Sequence, residues 1–437
     1  MQCCCPLLLG SFPVFAAAPT PTFGDRHEYS GCLGVTPGPV LAAADFNGDG
    51  VPDLLCSGQG LLLFLGNGDG SFGPSTTLLP LGGGNAGVAN PLPVDMNGDG
   101  INDIVSTGTP GGGSGTYGIV VTLGNGDGTF QPGTLYPVTG NYQSVNFIVS
   151  GDFNGDGIPD IASEGSSGIW LFTGAGKGLL NPGVLIPVSI PGLSGLAAAD
   201  VNGDGKLDLV ADTGTGFGVF LGNGDGTFQP EIDTAVPFDL NGFAVGDLNG
   251  DGLPDVITVS SQEAFGLVYV GNGNGTFAAG KKVNLGAESA SVAIGDVNGD
   301  GYPDIVTAAG EVAYGNGKGG FSAPKSYVIA GSGVYVGAAQ LTRNGRTDFL
   351  FQDFESPASV LVSTEEGGFQ EGESVPVAGG GAGCGVAADF NGDGIPDVAV
   401  LVAKASRSCS VPGRRRRPTP RARSFPFQPP AVRWWAT

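Results

Sequence analysis

A nine-residue pattern of aspartate, asparagine and glycine recurs along the chain with the same residue types at the same positions. Its first copy, DFNGDGVPD at 45–53, has Asp at positions 1, 5 and 9, Asn at position 3 and Gly at positions 4 and 6. Near copies begin at residues 95, 152, 200, 247, 296 and 389. Three carboxylates within nine residues repel one another, and an ordinary turn gains nothing from the third. The pattern therefore predicts a cation among these side chains.

Oxygen donors at alternating positions are the ligands of a hard dication. Calcium takes roughly six to eight oxygens from carboxylates, amides, backbone carbonyls and water. The glycines let the backbone curl around one point, and the carbonyl at position 7 can turn inward. We therefore predict one calcium ion in each loop, about seven in all, with side-chain ligands at positions 1, 3, 5 and 9. In the first loop these are Asp45, Asn47, Asp49 and Asp53, and the predicted carbonyl ligand belongs to Val51.

Two related stretches are predicted to bind no metal. QLTRNGRTD at 340–348 lies where an eighth copy is due, but it has Gln340, Thr342 and Asn344 in place of the ligands. A second motif, GNGDGTF at 124–130 and 222–228, has the Asn-Gly and Asp-Gly steps of tight turns. We expect its Phe to pack between neighbouring repeats.

The spacing of the copies, about 44 to 57 residues, is typical of propeller blades. Each unit has a short alternating stretch before the acidic loop, a β-branched run after it, and two further extended segments. We predict an all-β propeller of four-stranded antiparallel blades, with eight blades favoured and seven as the alternative. The last unit stops early, and 22–46 resembles the end of a unit followed by a first strand. The two chain ends are therefore expected to close the ring.

The pattern resembles the FG-GAP or VCBS repeat, the β-propeller repeat of integrin α-subunit heads and of many bacterial extracellular proteins. The resemblance covers roughly residues 22–403 and implies that calcium is bound at the same positions in every copy. The implied side-chain ligands are Asp45, Asn47, Asp49, Asp53, Asp95, Asn97, Asp99, Asp103, Asp152, Asn154, Asp156, Asp160, Asp200, Asn202, Asp204, Asp208, Asp247, Asn249, Asp251, Asp255, Asp296, Asn298, Asp300, Asp304, Asp389, Asn391, Asp393 and Asp397. The carbonyl ligands at position 7 would belong to Val51, Ile101, Ile158, Lys206, Leu253, Tyr302 and Ile395. An EF-hand loop is a poorer match, because position 12 is not Glu and the flanking segments are strands.

Charge divides the chain into a propeller and a tail. Residues 1–403 contain all 41 acidic residues and nine basic ones, a net charge of −32, whereas 404–437 contain nine basic residues and no acidic one. We predict a calcium-binding propeller over 22–403 and a basic, disordered tail over 404–437. The overall charge of −23 argues against binding of nucleic acid or anionic lipid through a basic face.

The N-terminus predicts an extracellular or cell-surface location. Residues 1–21 contain a short apolar run followed by Ala16–Ala18, as in a signal segment, although a positively charged start is missing. No stretch of eighteen apolar residues is present, which argues against a transmembrane span. Calcium is millimolar outside the cytosol, where such loops would be occupied.

The sequence favours a binding module over an enzyme. His27 is the one histidine, and no nucleophile motif accompanies it. We predict a secreted or cell-surface adhesion or ligand-binding scaffold with structural calcium and an unknown protein, matrix or glycan partner. The alternative is a lectin-like carbohydrate binder or a non-catalytic part of a polysaccharide-processing protein. Trp170, the one tryptophan of the propeller region, is expected in the third strand of its blade rather than at a sugar site.

Overall fold

The computed structural model describes most of the propeller region and two short segments near the chain ends. The described residues are 26–30, 41–57, 60–67, 72–80, 89–108, 117–138, 145–165, 167–189, 195–213, 215–327, 335–339, 346–352, 359–361, 363, 382–388, 397–402 and 431–435. All regular structure in these residues is β-strand, and they contain no helix long and apolar enough to cross a membrane.

The strands form eight antiparallel sheets that follow one another along the chain. Sheet 1 contains β2 (Leu41–Ala44), β3 (Asp53–Ser57), β4 (Gly60–Phe64) and β5 (Thr76–Pro80), and sheet 2 contains β6 (Ala89–Val94), β7 (Asp103–Gly108), β8 (Gly118–Thr122) and β9 (Thr134–Pro137). Sheet 3 contains β10 (Val145–Gly151), β11 (Asp160–Gly165), β12 (Gly168–Phe172) and β15 (Val184–Ile186), and it is accompanied by the hairpin of β13 (Gly174–Gly176) and β14 (Leu179–Leu180). Sheet 4 contains β16 (Leu196–Ala199), β17 (Asp208–Asp212), β18 (Gly216–Phe220) and β19 (Ile232–Ala235). Sheet 5 contains β20 (Gly242–Gly246), β21 (Asp255–Val259), β22 (Phe265–Tyr269) and β23 (Lys281–Asn284), and sheet 6 contains β24 (Val292–Gly295), β25 (Asp304–Thr307), β26 (Glu311–Ala313) and β27 (Lys325–Ser326). Sheet 7 contains β28 (Tyr335–Ala339), β29 (Asp348–Gln352) and β30 (Ser359–Leu361). Sheet 8 contains β31 (Ala382–Ala388), β32 (Asp397–Val402), β33 (Ala431–Trp435) and β1 (Arg26–Ser30).

Burial changes across the fourth sheet in the way a propeller blade requires. In sheet 4 every residue of the first strand, β16, is half-buried, and the second and third strands, β17 and β18, are buried throughout. The fourth strand, β19, alternates between half-buried and exposed residues. The middle strands are therefore covered on both faces by neighbouring sheets, which explains their continuous apolar runs.

Neighbouring sheets share their hydrophobic cores. One core contains Ala162 and Ile169 of sheet 3 together with Leu209 and Phe220 of sheet 4. The Phe that ends the second motif crosses the same kind of boundary: the Phe130 ring of sheet 2 lies 5.7 Å from that of Phe46 in the sheet 1 loop. The predicted packing of this Phe between blades is confirmed. Trp170 is buried in β12, the third strand of its sheet, as predicted.

The chain ends meet in the eighth sheet, as the sequence predicts. Its strand order is β31, β32, β33 and β1, so the N-terminal strand is outermost. Strand β2 of the first sheet contacts both β6 and β31, an arrangement consistent with a closed ring of eight blades.

The predicted disordered tail differs from the structure at one segment. Ala431–Trp435 forms strand β33 and pairs with both Val398–Val402 and Arg26–Ser30. Its sequence, AVRWW, is rich in residues that favour strands, and the basic composition of 404–437 concealed this. The rest of the predicted tail and the predicted leader at 1–21 lie outside the described residues.

Candidate functional site

Six of the seven acidic loops are described, and each joins the first strand of its sheet to the second. Both glycines of every described loop have positive φ, for example 74° at Gly48 and 82° at Gly50. A Cβ added at Gly50 would meet no atom within 4 Å, so it is the left-handed backbone and not lack of space that favours glycine there. The loop at 389–396 lies outside the described residues.

The carboxylate at position 1 lies inside the curve of its own loop. In the first loop, Oδ1 of Asp45 accepts a hydrogen bond from Gly48 N at 2.7 Å, and Oδ2 accepts one from Gly50 N at 2.8 Å. The same two bonds recur in the other five described loops. Each loop is therefore closed around its first aspartate before any ligand is considered.

The side chains at positions 3 and 5 lie on the exposed side of the loop and contact each other. Oδ1 of Asn47 accepts a hydrogen bond from Asp49 N at 2.9 Å, and Nδ2 of Asn47 donates to Oδ2 of Asp49 at 2.9 Å. Oδ1 of Asp49 accepts from Val51 N at 2.8 Å. Carboxylate and amide oxygens thus line one short, solvent-accessible segment.

The aspartate at position 9 is completely buried beneath the loop. Asp53 accepts hydrogen bonds from Phe46 N and from Gly66 N, both at 2.8 Å. Phe46 follows the first strand and Gly66 follows the third, so one carboxylate holds both to the start of the second strand. The equivalent residues, with the same pair of bonds and no exposed surface, are Asp103, Asp160, Asp208, Asp255 and Asp304.

The carboxylates of one loop also act on each other electrostatically. Burial, with a smaller contribution from the charges of Asp49 and Asp45, raises the pKa of Asp53 to about 6 against the opposing effect of its two backbone hydrogen bonds. Asp304 has the same causes and a pKa of about 6. The same causes raise the pKa of the other four buried aspartates: Asp103, Asp160, Asp208 and Asp255. Each described loop therefore holds a half-buried carboxylate at position 1 and an exposed one at position 5 above a buried one at position 9.

The donor chemistry of these loops fits a hard dication. The oxygens at positions 1, 3 and 5 are of the type that calcium takes. In the first loop Oδ1 of Asp45 accepts two hydrogen bonds, whereas Oδ2 of Asp45 and both carboxylate oxygens of Asp49 accept one each and keep a lone pair for a metal. As they stand, no three His, Cys, Asp or Glu side chains among the described residues are grouped to hold a metal ion. The carboxylates at positions 1 and 5 would have to draw closer around the ion, with the position 9 carboxylate below them.

The repeats match a known family over most of the chain. The model of the FG-GAP-like repeat matches residues 45–106, 95–163, 152–211, 209–258, 247–307 and 340–400. The chain belongs to the FG-GAP-like repeat family. Each match begins at or just after an acidic loop or, at 340, at the degenerate copy, and runs through the next loop, so the matches follow the spacing of the predicted repeat. Comparison with curated proteins found no match.

One solved structure, that of a lectin, supports the propeller fold of this FG-GAP-like repeat protein, and two others are similar at lower TM-scores. An Agrocybe aegerita lectin that recognises non-reducing terminal N-acetylglucosamine is 20% identical, with a TM-score of 0.54 over 77% of this chain and 94% of that chain. A chain of the BBS1N–ARL6DN complex is 12% identical (TM-score 0.47, 82% and 97% coverage). The Vibrio cholerae biofilm matrix protein Bap1 is 15% identical (TM-score 0.38, 93% and 67% coverage). At such identities the likeness concerns the fold alone.

The second motif of the FG-GAP-like repeats forms a turn closed by its own side chains. In the second repeat, Oδ1 of Asp127 accepts hydrogen bonds from both N and Oγ1 of Thr129, and Nδ2 of Asn125 donates to the same hydroxyl. The hydrogen bonds from Thr129 hold the pKa of Asp127 below its usual range. These contacts support the predicted role of the motif as a tight turn.

The acidic loop of the fourth repeat contains a positively charged side chain. Lys206, at position 7, places Nζ 3.9 Å from Oδ2 of Asp204. Both side chains are more than a third exposed, so solvent weakens the pair. Every other described loop has an uncharged residue at this position.

A buried glutamate outside the loops was not predicted from the sequence. Glu164 lies on β11 with 2% of its surface exposed, and its Oε2 has no hydrogen-bond partner. Burial, and to a lesser extent the charge of Asp212 on the neighbouring sheet, raises the pKa of Glu164 to about 9. The available signal was a glutamate in an otherwise small or apolar second strand, DIASEG.

The Glu164→Gln variant is expected to be more stable than the wild type at pH 8 and to lose that advantage at pH 4. Because the folded-state pKa lies above the unfolded value, the stability that Glu164 contributes is present below about pH 4.5 and is lost as the pH rises towards 9. Within that window each pH unit costs about 1.4 kcal/mol. Urea unfolding at pH 4, 6 and 8 measures the difference. Glu288→Gln, at an exposed site, is the control, and an equal pH trend in both variants would contradict the assignment.

Proposed function

We propose that this FG-GAP-like repeat propeller is an extracellular or cell-surface, calcium-dependent scaffold for ligand binding or adhesion, without catalytic activity of its own. The observation that carries the proposal is the recurrence, in six described loops, of a half-buried carboxylate, an exposed carboxylate and an asparagine above a third, buried carboxylate. The charges of the first two raise the pKa of the buried one, and all three gain a compensating partner when a dication binds.

Calcium would act in this scaffold as a structural ion. When bound, it supplies two positive charges among the acidic side chains of a loop. The residues that would hold it are those at positions 1, 3, 5 and 9, and the protein's own contribution is a loop already closed by the backbone hydrogen bonds to position 1. Millimolar calcium outside cells suits sites of modest affinity, which supports an extracellular location.

The fold indicates only the class of ligand that this scaffold would bind. Loops on a rigid propeller are suited to contacts with a protein, matrix or glycan partner. The similarity to a lectin propeller is one of fold, so its sugar is not transferred to this chain.

Counting bound metal tests the proposal. Native mass spectrometry of the full chain in calcium is expected to give about seven ions, one for each complete acidic loop. Asp251→Ala removes an exposed position 5 ligand and is expected to lower the count by one. Asp127→Ala removes an equally exposed aspartate from a turn of the second motif and is expected to leave the count unchanged. A wild-type chain without bound calcium, or an equal loss in both variants, would overturn the proposal.

A further inference from the structure

One sector of this acidic propeller is not acidic. Residues 281–346 contain six basic and five acidic residues, a net charge of +1. Residues 1–403 as a whole carry −32, so the rest of that region carries −33. An anionic partner would be repelled over most of the molecule and least repelled over this sector, which contains the sixth repeat.

The sixth repeat also exposes an aromatic ring at its acidic loop. Tyr302, at position 7, is 43% exposed, whereas the same position in the other copies holds an aliphatic residue or lysine. Its ring lies directly against the backbone of Gly317, in the turn of the second motif, where an added Cβ would clash with Cδ1 and Cε1 of the ring. The absence of a side chain at Gly317 therefore leaves room for the tyrosine ring, which remains open to solvent.

Two lysines lie in or against the turn that adjoins that ring. Lys318 follows Gly317 in the turn and is exposed. Lys281, from the outer strand of the fifth sheet, donates from Nζ to the carbonyl of Gly319 at 3.1 Å. The places equivalent to Lys318 in the other described turns hold Asp127, Lys177, Asp225 and Asn274. Only the sixth of these described repeats combines an exposed aromatic ring with a lysine in the adjoining turn.

We propose that Tyr302, Lys318 and Lys281 form a binding surface for an acidic oligosaccharide, a chain of uronic acid residues. An exposed aromatic ring offers an apolar face to the C–H face of a sugar ring, and an ammonium group pairs with its carboxylate. The ring is what favours a saccharide over an acidic peptide, which charge alone would attract.

The surface also lies beside acidic loops, which makes binding depend on calcium. The turn carbonyl of Gly317 lies 2.9 Å from where a Cβ would stand on Gly250 in the fifth loop, so the carboxylates of the fifth and sixth loops border the surface. Unless cations neutralise them, these groups repel a uronic acid. The assignment thus rests on the proposed function, whose calcium it requires.

Fluorescence anisotropy with labelled tetragalacturonate tests the surface. In calcium at about 1 mM, the wild-type chain is expected to bind this probe at least about tenfold more tightly than its methyl ester, which keeps the sugar rings and lacks the charge. Tyr302→Ile and Lys318→Asp introduce residues that other repeats carry at the same places, and each is expected to weaken binding about tenfold, or about 1.4 kcal/mol. Lys177→Asp makes the same charge change in the third repeat and is expected to have no effect.

Several results would overturn the assignment. Binding that is absent, that poly-glutamate displaces as readily as unlabelled tetragalacturonate, or that Lys177→Asp weakens as much as Lys318→Asp would each do so. Metal counting on the same samples separates this failure from that of the proposed function. A normal calcium count without tetragalacturonate binding rejects the surface alone, and a chain that binds neither rejects both.

Discussion

Removal of calcium with a chelator is expected to lower the unfolding temperature of the full chain by on the order of 10 °C. A ligand present at ten times its dissociation constant stabilises the folded state by about 1.4 kcal/mol per site. About seven such loops give on the order of 10 kcal/mol, as much as the whole stability of many domains. For a chain of this size, that free energy corresponds to a shift of on the order of 10 °C. Thermal unfolding followed by circular dichroism, with calcium or with chelator, measures it.

Two controls separate calcium binding from a general effect of the chelator. Excess calcium added to the chelated sample is expected to restore the original unfolding temperature. Asp127→Ala, in a turn of the second motif, is expected to show the same calcium-dependent rise in unfolding temperature as the wild type. For Asp251→Ala this rise should be smaller by about the contribution of one site. An unfolding temperature indifferent to both chelator and calcium would contradict structural calcium in these loops.

Much of the fold could be predicted because the same signals recur in every repeat. The acidic loop marks the connection from first to second strand, and the Phe that ends the second motif marks a contact between blades, as Phe46 and Phe130 show. Repetition made each single signal stronger than it would be alone. The third strand of the eighth sheet, β33, could not be predicted in this way, because it follows a long basic segment whose composition is unlike that of the repeats.

The residues of the candidate site could be predicted, but not which of their side chains are buried and which are exposed. Spacing alone treats Asp45, Asp49 and Asp53 as equivalent ligands. In the structure Asp53 is fully buried and accepts two backbone hydrogen bonds, while the exposed Asp49 contacts Asn47. The difference depends on Gly66, thirteen residues away, whose N–H reaches Asp53 only when the third strand is in place. Such tertiary contacts leave no mark within the nine-residue pattern.

The two classes of aspartate are expected to separate in a pair of variants of the fifth loop. Asp255→Ala removes the acceptor for the N–H groups of Leu248 and Gly271, at 3.0 and 2.8 Å, and leaves both buried donors without it. We expect a loss of about 3–5 kcal/mol in chelator as well as in calcium. Asp251→Ala removes an exposed carboxylate, so we expect less than about 1 kcal/mol in chelator and a reduced response to calcium. Urea unfolding of both variants with and without calcium measures the four values.

Asp255→Asn provides the matched test of the cause. It keeps the size of the side chain and one acceptor oxygen but places an amide donor against the second N–H. We therefore expect its free energy of unfolding to lie between those of the wild type and Asp255→Ala. If Asp255→Ala and Asp251→Ala lost the same stability in chelator, the buried aspartate would have no structural role apart from metal. The carboxylate at position 9 would then be a ligand like the others. A large loss for Asp255→Ala alone means that this carboxylate holds three segments of the blade together before any ion binds.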